Sequence, residues 1–236
     1  MFLHFNMATF QDREWGDPTS PPDLFHPTAL DTDQWAAAAQ SANMTWGCLT
    51  TRHHDGFCLW PTKTEAASVG QTSHSIDVVR AYVNSFRKAG LRVGLYYSIL
   101  SLRDDIRHFN ITPAKVKLIK DQLTELLTGY GEIDILITDG WDAPWSRITY
   151  EEVPFREIYE QRTYSRTAFF ATSTPVNILR AVGHSNAQGF GFTGAGVHAI
   201  NVVRVLRLHL GSVAVKPKRT CRLAKVCPRP YTTNQD

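Results

Sequence analysis

The stretch Leu49-Thr50-Thr51-Arg52-His53-His54-Asp55-Gly56-Phe57-Cys58-Leu59-Trp60 decides how the rest of the chain is read. It follows a short apolar run, Trp46 to Leu49, of the kind that makes a buried strand, and turns abruptly into a dense polar cluster. Strands of α/β folds carry their chemistry at such polar C-terminal ends. Neighbouring strand residues point to opposite faces, so His53 and His54 share one ligand only where the strand breaks. Asp55-Gly56 supplies that break. Taken alone, the pair reads as one core histidine beside a turn capped by Asp55. A metal site lacks a third ligand at a recognisable spacing, so none is expected.

Outward from this stretch the chain alternates. An Ala-rich helix from Gln34 to Ala42 precedes it, with N-caps on offer in Asp31-Thr32-Asp33. A polar loop from Pro61 to Ser75 leads to an amphipathic helix with Ile76, Val79, Val83 and Phe86 on one side and Gly90 as its closing residue. Then come a strand from Val93 to Ser98 and a helix opened by Thr112-Pro113 and running to Gly129. A strand from Ile133 to Thr138 ends in Asp139-Gly140-Trp141. Residues 2–7 read as one further strand, at the start of the chain. This strand–helix rhythm predicts an α/β fold of the (β/α)8 barrel type, of which residues 1–160 supply the first half. The polar residues of interest all fall at strand C-termini.

Totals narrow the function classes. The 236 residues, 43% apolar with six Trp, suit a globular domain with a sizeable core. No run of eighteen apolar residues exists, so no membrane span is expected, and the start Met1-Phe2-Leu3-His4 lacks the pattern of a signal peptide. Four cysteines, Cys48, Cys58, Cys221 and Cys227, define neither a disulfide framework nor a zinc site. The net charge of +3 hides two opposite segments. Residues 1–160 hold 14 Lys+Arg against 21 Asp+Glu, whereas residues 161–236 hold 11 basic residues and one acid, Asp236. The basic residues of that tail are not interleaved with aromatics as in a nucleic-acid module, so no nucleic-acid partner is expected.

The central stretch resembles the core signature of glycoside hydrolase family 29, the α-L-fucosidases, in which a strand ends in Thr-Lys-His-His-Asp-Gly-Phe. Arg52 stands here in the lysine's place. The resemblance implies that His53 and His54 hydrogen-bond a fucose ring. It implies the same for His4, in a first-strand motif where Asn6 replaces the usual glycine and would tolerate a left-handed backbone. Glu14-Trp15 matches a Glu-Trp pair that lies against the sugar, and an indole face suits a sugar's apolar face. A fucose-contacting tyrosine is expected near Tyr96, with Tyr97 as the competitor. Asp139 takes the place of the catalytic nucleophile of a retaining glycosidase, in which two carboxyl groups flank the scissile bond. No cofactor is implied; the partner is a fucosylated glycan or glycoside, and the compartment stays open, the family often being secreted or lysosomal.

The family's general acid is a glutamate on a later strand, and beyond Glu160 this chain has none. Asp134, Glu151, Glu152 and Glu157 do not match its position, the three glutamates reading as a helical continuation. The resemblance covers residues 2–160, after which residues 161–236 read as an irregular, non-homologous tail, frame-shifted or disordered. Gln161 through Ile178 can be encoded so that a shifted frame reads Ala-His-Ile-Gln-Ser-His-Ser-Leu-Leu-Cys-Asp-Leu-Asn-Thr-Ser-Gln-His, similar to what fucosidases carry next. Val202 to Leu206 is β-branched but has no evident partner strand. A sheet left with open edges would self-associate. A non-catalytic fucose-binding half-barrel is the alternative to an enzyme.

Overall fold

The computed structural model describes residues 1–141, 145–154, 169–172 and 201–204. Its centre is one sheet of six strands in the order β1 to β6: β1 Phe2–Leu3, β2 Trp46–Arg52, β3 Arg92–Ser98, β4 Ile135–Asp139, β5 Phe169–Thr172 and β6 Asn201–Arg204. The first five run parallel and β6 pairs antiparallel with β5. Three α-helices accompany them: α1 Thr32–Ser41, α2 Val78–Lys88 and α3 Pro113–Gly129.

Each helix begins where a side chain accepts an orphan backbone N–H, a contribution of about 1 kcal/mol apiece. Asp31 accepts from the Gln34 amide at 2.9 Å, Asp77 from Arg80 at 2.8 Å, and Thr112 from Lys115 at 3.3 Å. Pro113 occupies the first turn of α3, where its missing N–H costs nothing. α2 buries Val79, Tyr82, Val83 and Phe86 against β2 and β3; Phe86 sits so close to Gly47 that a Cβ there would meet its ring at 2.3 Å.

The helix-covered face of the sheet carries Leu49, Val93, Leu95, Tyr97 and Leu136, all part of the main core. The opposite face carries the smaller cluster Cys48, Tyr96 and Ile137, flanked by Trp46 and Ile135. Strict alternation would send Arg52 to this second face, beside Thr50. It does not go there, because the pairing of β2 with β3 slips between Thr50 and Arg52: Thr50 opposes Tyr96, and Arg52 opposes Tyr97. One extra residue on β2 therefore inverts its facing, as a β-bulge does. The Thr51 hydroxyl fills the gap by donating to the Tyr96 carbonyl at 2.7 Å.

Arg52 is accordingly buried on the helix side. It donates to Tyr97 Oη at 2.7 Å and to Gln122 Oε1 of α3 at 2.5 Å, and lies 3.9 Å from Asp104. Its Nε and Nη2 are buried without hydrogen-bond partners among the described residues. After it, Gly56 turns the chain at φ +90°, where a Cβ would meet Ser101 Oγ at 2.3 Å.

Several expectations need correction. Only Phe2–Leu3 of residues 2–7 pairs as strand, because Asn6 caps a short 3-10 helix, Met7–Phe10. Asn6 has φ −147°, extended backbone, so its tolerance of the left-handed region is not used; its side chain accepts from the Ala8 amide instead. Residues 150–154 form turns in place of a helical continuation, with Glu152 accepting from the Thr149 and Phe109 amides; Glu157 lies outside the described residues. Residues 161–236 are not irregular throughout. Phe169–Thr172 extends the parallel sheet beside β4, and Val202 and Val203 find a partner in it. Aromatic and β-branched residues are good strand formers, and the bare edge of β4 offers backbone groups to pair with.

Candidate active site

A cavity of about 810 Å³ opens at the C-terminal ends of β1 to β4. His4, Glu14, Trp15, His53, His54, Tyr96 and Asp139 all line it, so every residue singled out in the sequence meets in one place. Tyr97 does not; it belongs to the other face, with Arg52 and Gln122. The register explains the choice, since Tyr96 and Ile137 pair on the cavity side and Ser98 and Asp139 pair one step further on.

Asp139, the last residue of β4, is held through both oxygens. Tyr96 Oη donates to Oδ2 at 2.6 Å and the Gly140 amide donates to Oδ1 at 2.6 Å. Hydrogen bonds to a carboxylate are short and strong, and two of them leave it little rotational freedom. Gly140 permits this with φ +91°; any Cβ there would lie 2.8 Å from the Leu100 amide nitrogen. Burial and the neighbouring Asp139 charge raise the Tyr96 hydroxyl well above its ordinary range, so it remains a donor.

The two histidines are neutral at pH 7. Burial pushes His53 down to about 3, with the neighbouring His54 adding to the effect. Burial also pulls His54 down to about 4, against the Asp139 charge, which favours the protonated form. His54 Nδ1 meets Ser98 Oγ at 2.7 Å, and that hydroxyl in turn donates to the Leu100 carbonyl at 2.7 Å. Ser98 has thus spent its one proton, so it accepts from His54, which carries its hydrogen on Nδ1. The His54 Nε2 lone pair is left facing the cavity side, 3.8 Å from Asp139 Oδ2. His53 faces the same space because the bulge in β2 has inverted the strand. Its ring centroid is 4.2 Å from that of His54, and its Nδ1 has no partner among the described residues.

The wall is completed by aromatic rings. His4 meets His53 edge-on at 5.7 Å and receives support from Thr50 Oγ1 at 3.2 Å. Trp15 leans on His54 at 4.7 Å. Glu14 and Arg13 stand exposed at the rim. Sequence reasoning missed Trp145, which stands 4.8 Å from His54 and 5.4 Å from Trp15. Its signal was a second tryptophan on the loop after Asp139. The first, Trp141, is fully buried and donates to Thr138, outside the cavity. Among the described residues no cluster of three His, Cys, Asp or Glu side chains is arranged to hold a metal ion.

The sequence of residues 4–182 matches the family model described as Alpha-L-fucosidase, running past Glu160. Among curated proteins, Alpha-L-fucosidase 1 of Arabidopsis thaliana is 38% identical over 143 residues, which are 59% of this chain and 28% of that protein. Tissue alpha-L-fucosidase of Homo sapiens is 30% identical over 132 residues, 51% of this chain and 26% of that protein. Among solved structures, a glycoside hydrolase 29 family member from an unknown rumen bacterium is similar with a TM-score of 0.64 and 32% identity, covering 72% of this chain and 32% of that one. The chain therefore spans little more than a quarter of the length of these curated relatives.

Proposed function

The chain belongs to the alpha-L-fucosidase family, glycoside hydrolase family 29, and from that premise we propose that its cavity binds an α-L-fucosyl group and forms a covalent glycosyl intermediate on Asp139. The observation that carries this reading is the fixing of Asp139 by Tyr96 and Gly140 beside two neutral histidines. A nucleophilic carboxylate must be ionised and aimed; the two donors aim it, and neutral imidazoles do not engage it as an ion pair. His54 Nε2 accepts one sugar hydroxyl, and His53, His4 and Glu14 take others. Trp15 covers the ring's apolar face.

In the first step an Asp139 oxygen bonds to the anomeric carbon while the bond to the leaving oxygen breaks. In the second, water attacks the same carbon, the bond from that carbon to the Asp139 oxygen breaks to free the carboxylate, and the water's proton passes to bulk solvent. The first step also calls for a proton on the leaving oxygen, and the sequence has no glutamate beyond Glu160 at the family's position for that role. The sheet, with its cavity at the strand ends, is read as the leading part of a (β/α)8 barrel. Residues 161–236 are read as a segment apart from it, with the two strands it lends the sheet.

Fluoride leaves without protonation, so a 2-fluoro-L-fucosyl fluoride isolates the first step from the missing acid. The expected result is one covalent adduct per chain, located on the peptide holding Asp139 and absent in Asp139→Ala. Binding of fucose with no adduct would favour the second reading, a non-catalytic fucose-binding protein, to which the absent glutamate points.

A further inference from the structure

One ring of the cavity wall, that of Trp145, takes no part in the fucosyl contacts proposed above. Trp145 is 43% exposed although it lines the cavity, while His53, His54 and Tyr96 are 7%, 3% and 4% exposed. It therefore marks the outer end of a site whose inner end is Asp139. Its ring meets that of Trp15 nearly at right angles, 74° with centroids 5.4 Å apart, and the two indoles rest on His54 at 4.8 and 4.7 Å. The result is an open aromatic corner, propped from below by a histidine that Ser98 holds in place. The buried Trp60 and Trp141 spend their N–H groups on Glu125 and Thr138; among the described residues neither Trp15 nor Trp145 has an acceptor for its own. An exposed aromatic corner with two available N–H donors, and charged Arg13 and Glu14 at the rim, matches a ring with one apolar face and a polar edge.

We propose that Trp145 forms the subsite for the leaving-group pyranose, the sugar to which the fucosyl group is attached, with Trp15 as the border between the two sugars. This rests on the fucosidase reading above, because the position of the second ring follows from placing the first over Asp139. The leaving group faces outward from the nucleophile, and the outward path from Asp139 passes His54 and reaches this corner. Trp145 is then a specificity residue: it selects a saccharide over a small alcohol as the departing partner and leaves the fucosyl contacts untouched.

The test uses the full chain carrying Asp139→Asn, which prevents turnover, and titrates it with methyl α-L-fucoside and with a fucosyl-hexosamine disaccharide. The disaccharide is expected to bind more tightly by on the order of fivefold, the scale of one ring-stacking contact. Adding Trp145→Ala should erase that preference with the methyl fucoside affinity unchanged, and Trp145→Phe should keep part of it. Equal weakening of both ligands would overturn the proposal, since the ring would then lie on the fucosyl group. So would a preference that survives Trp145→Ala. Failure of both ligands to bind the Asp139→Asn chain would overturn the fucosidase reading, and this inference with it.

Discussion

Tyr96 Oη reaches Asp139 Oδ2 at 2.6 Å across two adjacent parallel strands, from a register position opposite Ile137, two residues before the carboxylate. The tyrosine thus bonds diagonally forward, along the strand direction, and pulls the carboxylate toward β3. A hydrogen bond to a charged group contributes about 1.5–3 kcal/mol. Tyr96→Phe removes it and leaves the Gly140 amide on the other oxygen. Labelling of Asp139 by the fluorosugar should slow by at least about tenfold, read as the rate of mass increase. An unchanged rate would show that the tyrosine does not orient the carboxylate.

The histidine pair ties stability to acidity. Each has a folded-state value below the ordinary 6.5, His53 at about 3 and His54 at about 4, so below pH 6.5 the unfolded chain binds protons that the folded chain refuses. Stability should be level above that pH and fall as the pH drops toward 4. At pH 5 each histidine contributes up to about 2 kcal/mol of the loss. Urea melts from pH 7.5 to about 4.5 test the slope, and His53→Gln should flatten it. An identical slope in that variant would remove His53 from the account.

Gly140 holds a backbone that L-residues avoid, and the space for a Cβ is filled by the Leu100 backbone at 2.8 Å. Gly140→Ala should cost about 2–4 kcal/mol through strain and overpacking together. The measurement is again the urea midpoint, paired with fluorosugar labelling, because the amide that aims Asp139 moves with the backbone. A variant with wild-type midpoint would show that the turn has room to relax.

Arg52 is buried with two nitrogens that have no hydrogen-bond partner among the described residues, an arrangement that breaks badly but tolerates a like charge. Arg52→Met strands Asp104 without its cation and should cost about 3 kcal/mol or more. Arg52→Lys retains donors for Tyr97 and Gln122 and removes the two unpaired nitrogens. It should stay within about 1–2 kcal/mol of the parent. If both variants lose the same amount, it is the arginine's shape that matters.

Among the described residues Phe2–Leu3 pairs with β2 only and forms one margin of the sheet, with Phe2 39% exposed. Unpaired strand margins and a thin apolar cluster on the cavity face favour association between copies. Expressed as residues 1–236, the chain should be oligomeric or poorly soluble in sedimentation velocity. A monodisperse monomer whose melting temperature ignores concentration would contradict this.

Much of this was legible before any coordinates. Helix starts at Asp31, Asp77 and Thr112 were local signals, written in residues that cap orphan amides. The strands were apolar runs, and the site residues lay at their ends in a motif long enough to identify its relatives. What was not legible required pairing. The choice of Tyr96 over Tyr97 depends on the register with β4, and Asn6's role as a helix cap depends on the chain turning after Leu3. Trp145 was hidden because a loop tryptophan carries no periodicity, and its place against Trp15 joins residues far apart in the chain. The partner for Val202 and Val203 lay in Phe169–Thr172, a run too short to stand out on its own.

The slip between Thr50 and Arg52 makes β2 a strand that counts to an odd number. Pull the slip straight, with Thr51 taken into the ladder, and simple alternation returns from Trp46 onward. The guanidinium would then swing to the cavity side, and His53, now out of phase, would be carried to the helix-covered face. Removing Thr51 instead leaves Thr50 opposite Tyr96 and Arg52 opposite Tyr97, so both keep their sides. Substituting any one residue of β2 changes a contact, but closing the slip at full length exchanges the two sides of the molecule. The motif therefore works as a phase as much as a set of letters, and a relative one residue shorter at the slip would face Arg52 and His53 as this chain does.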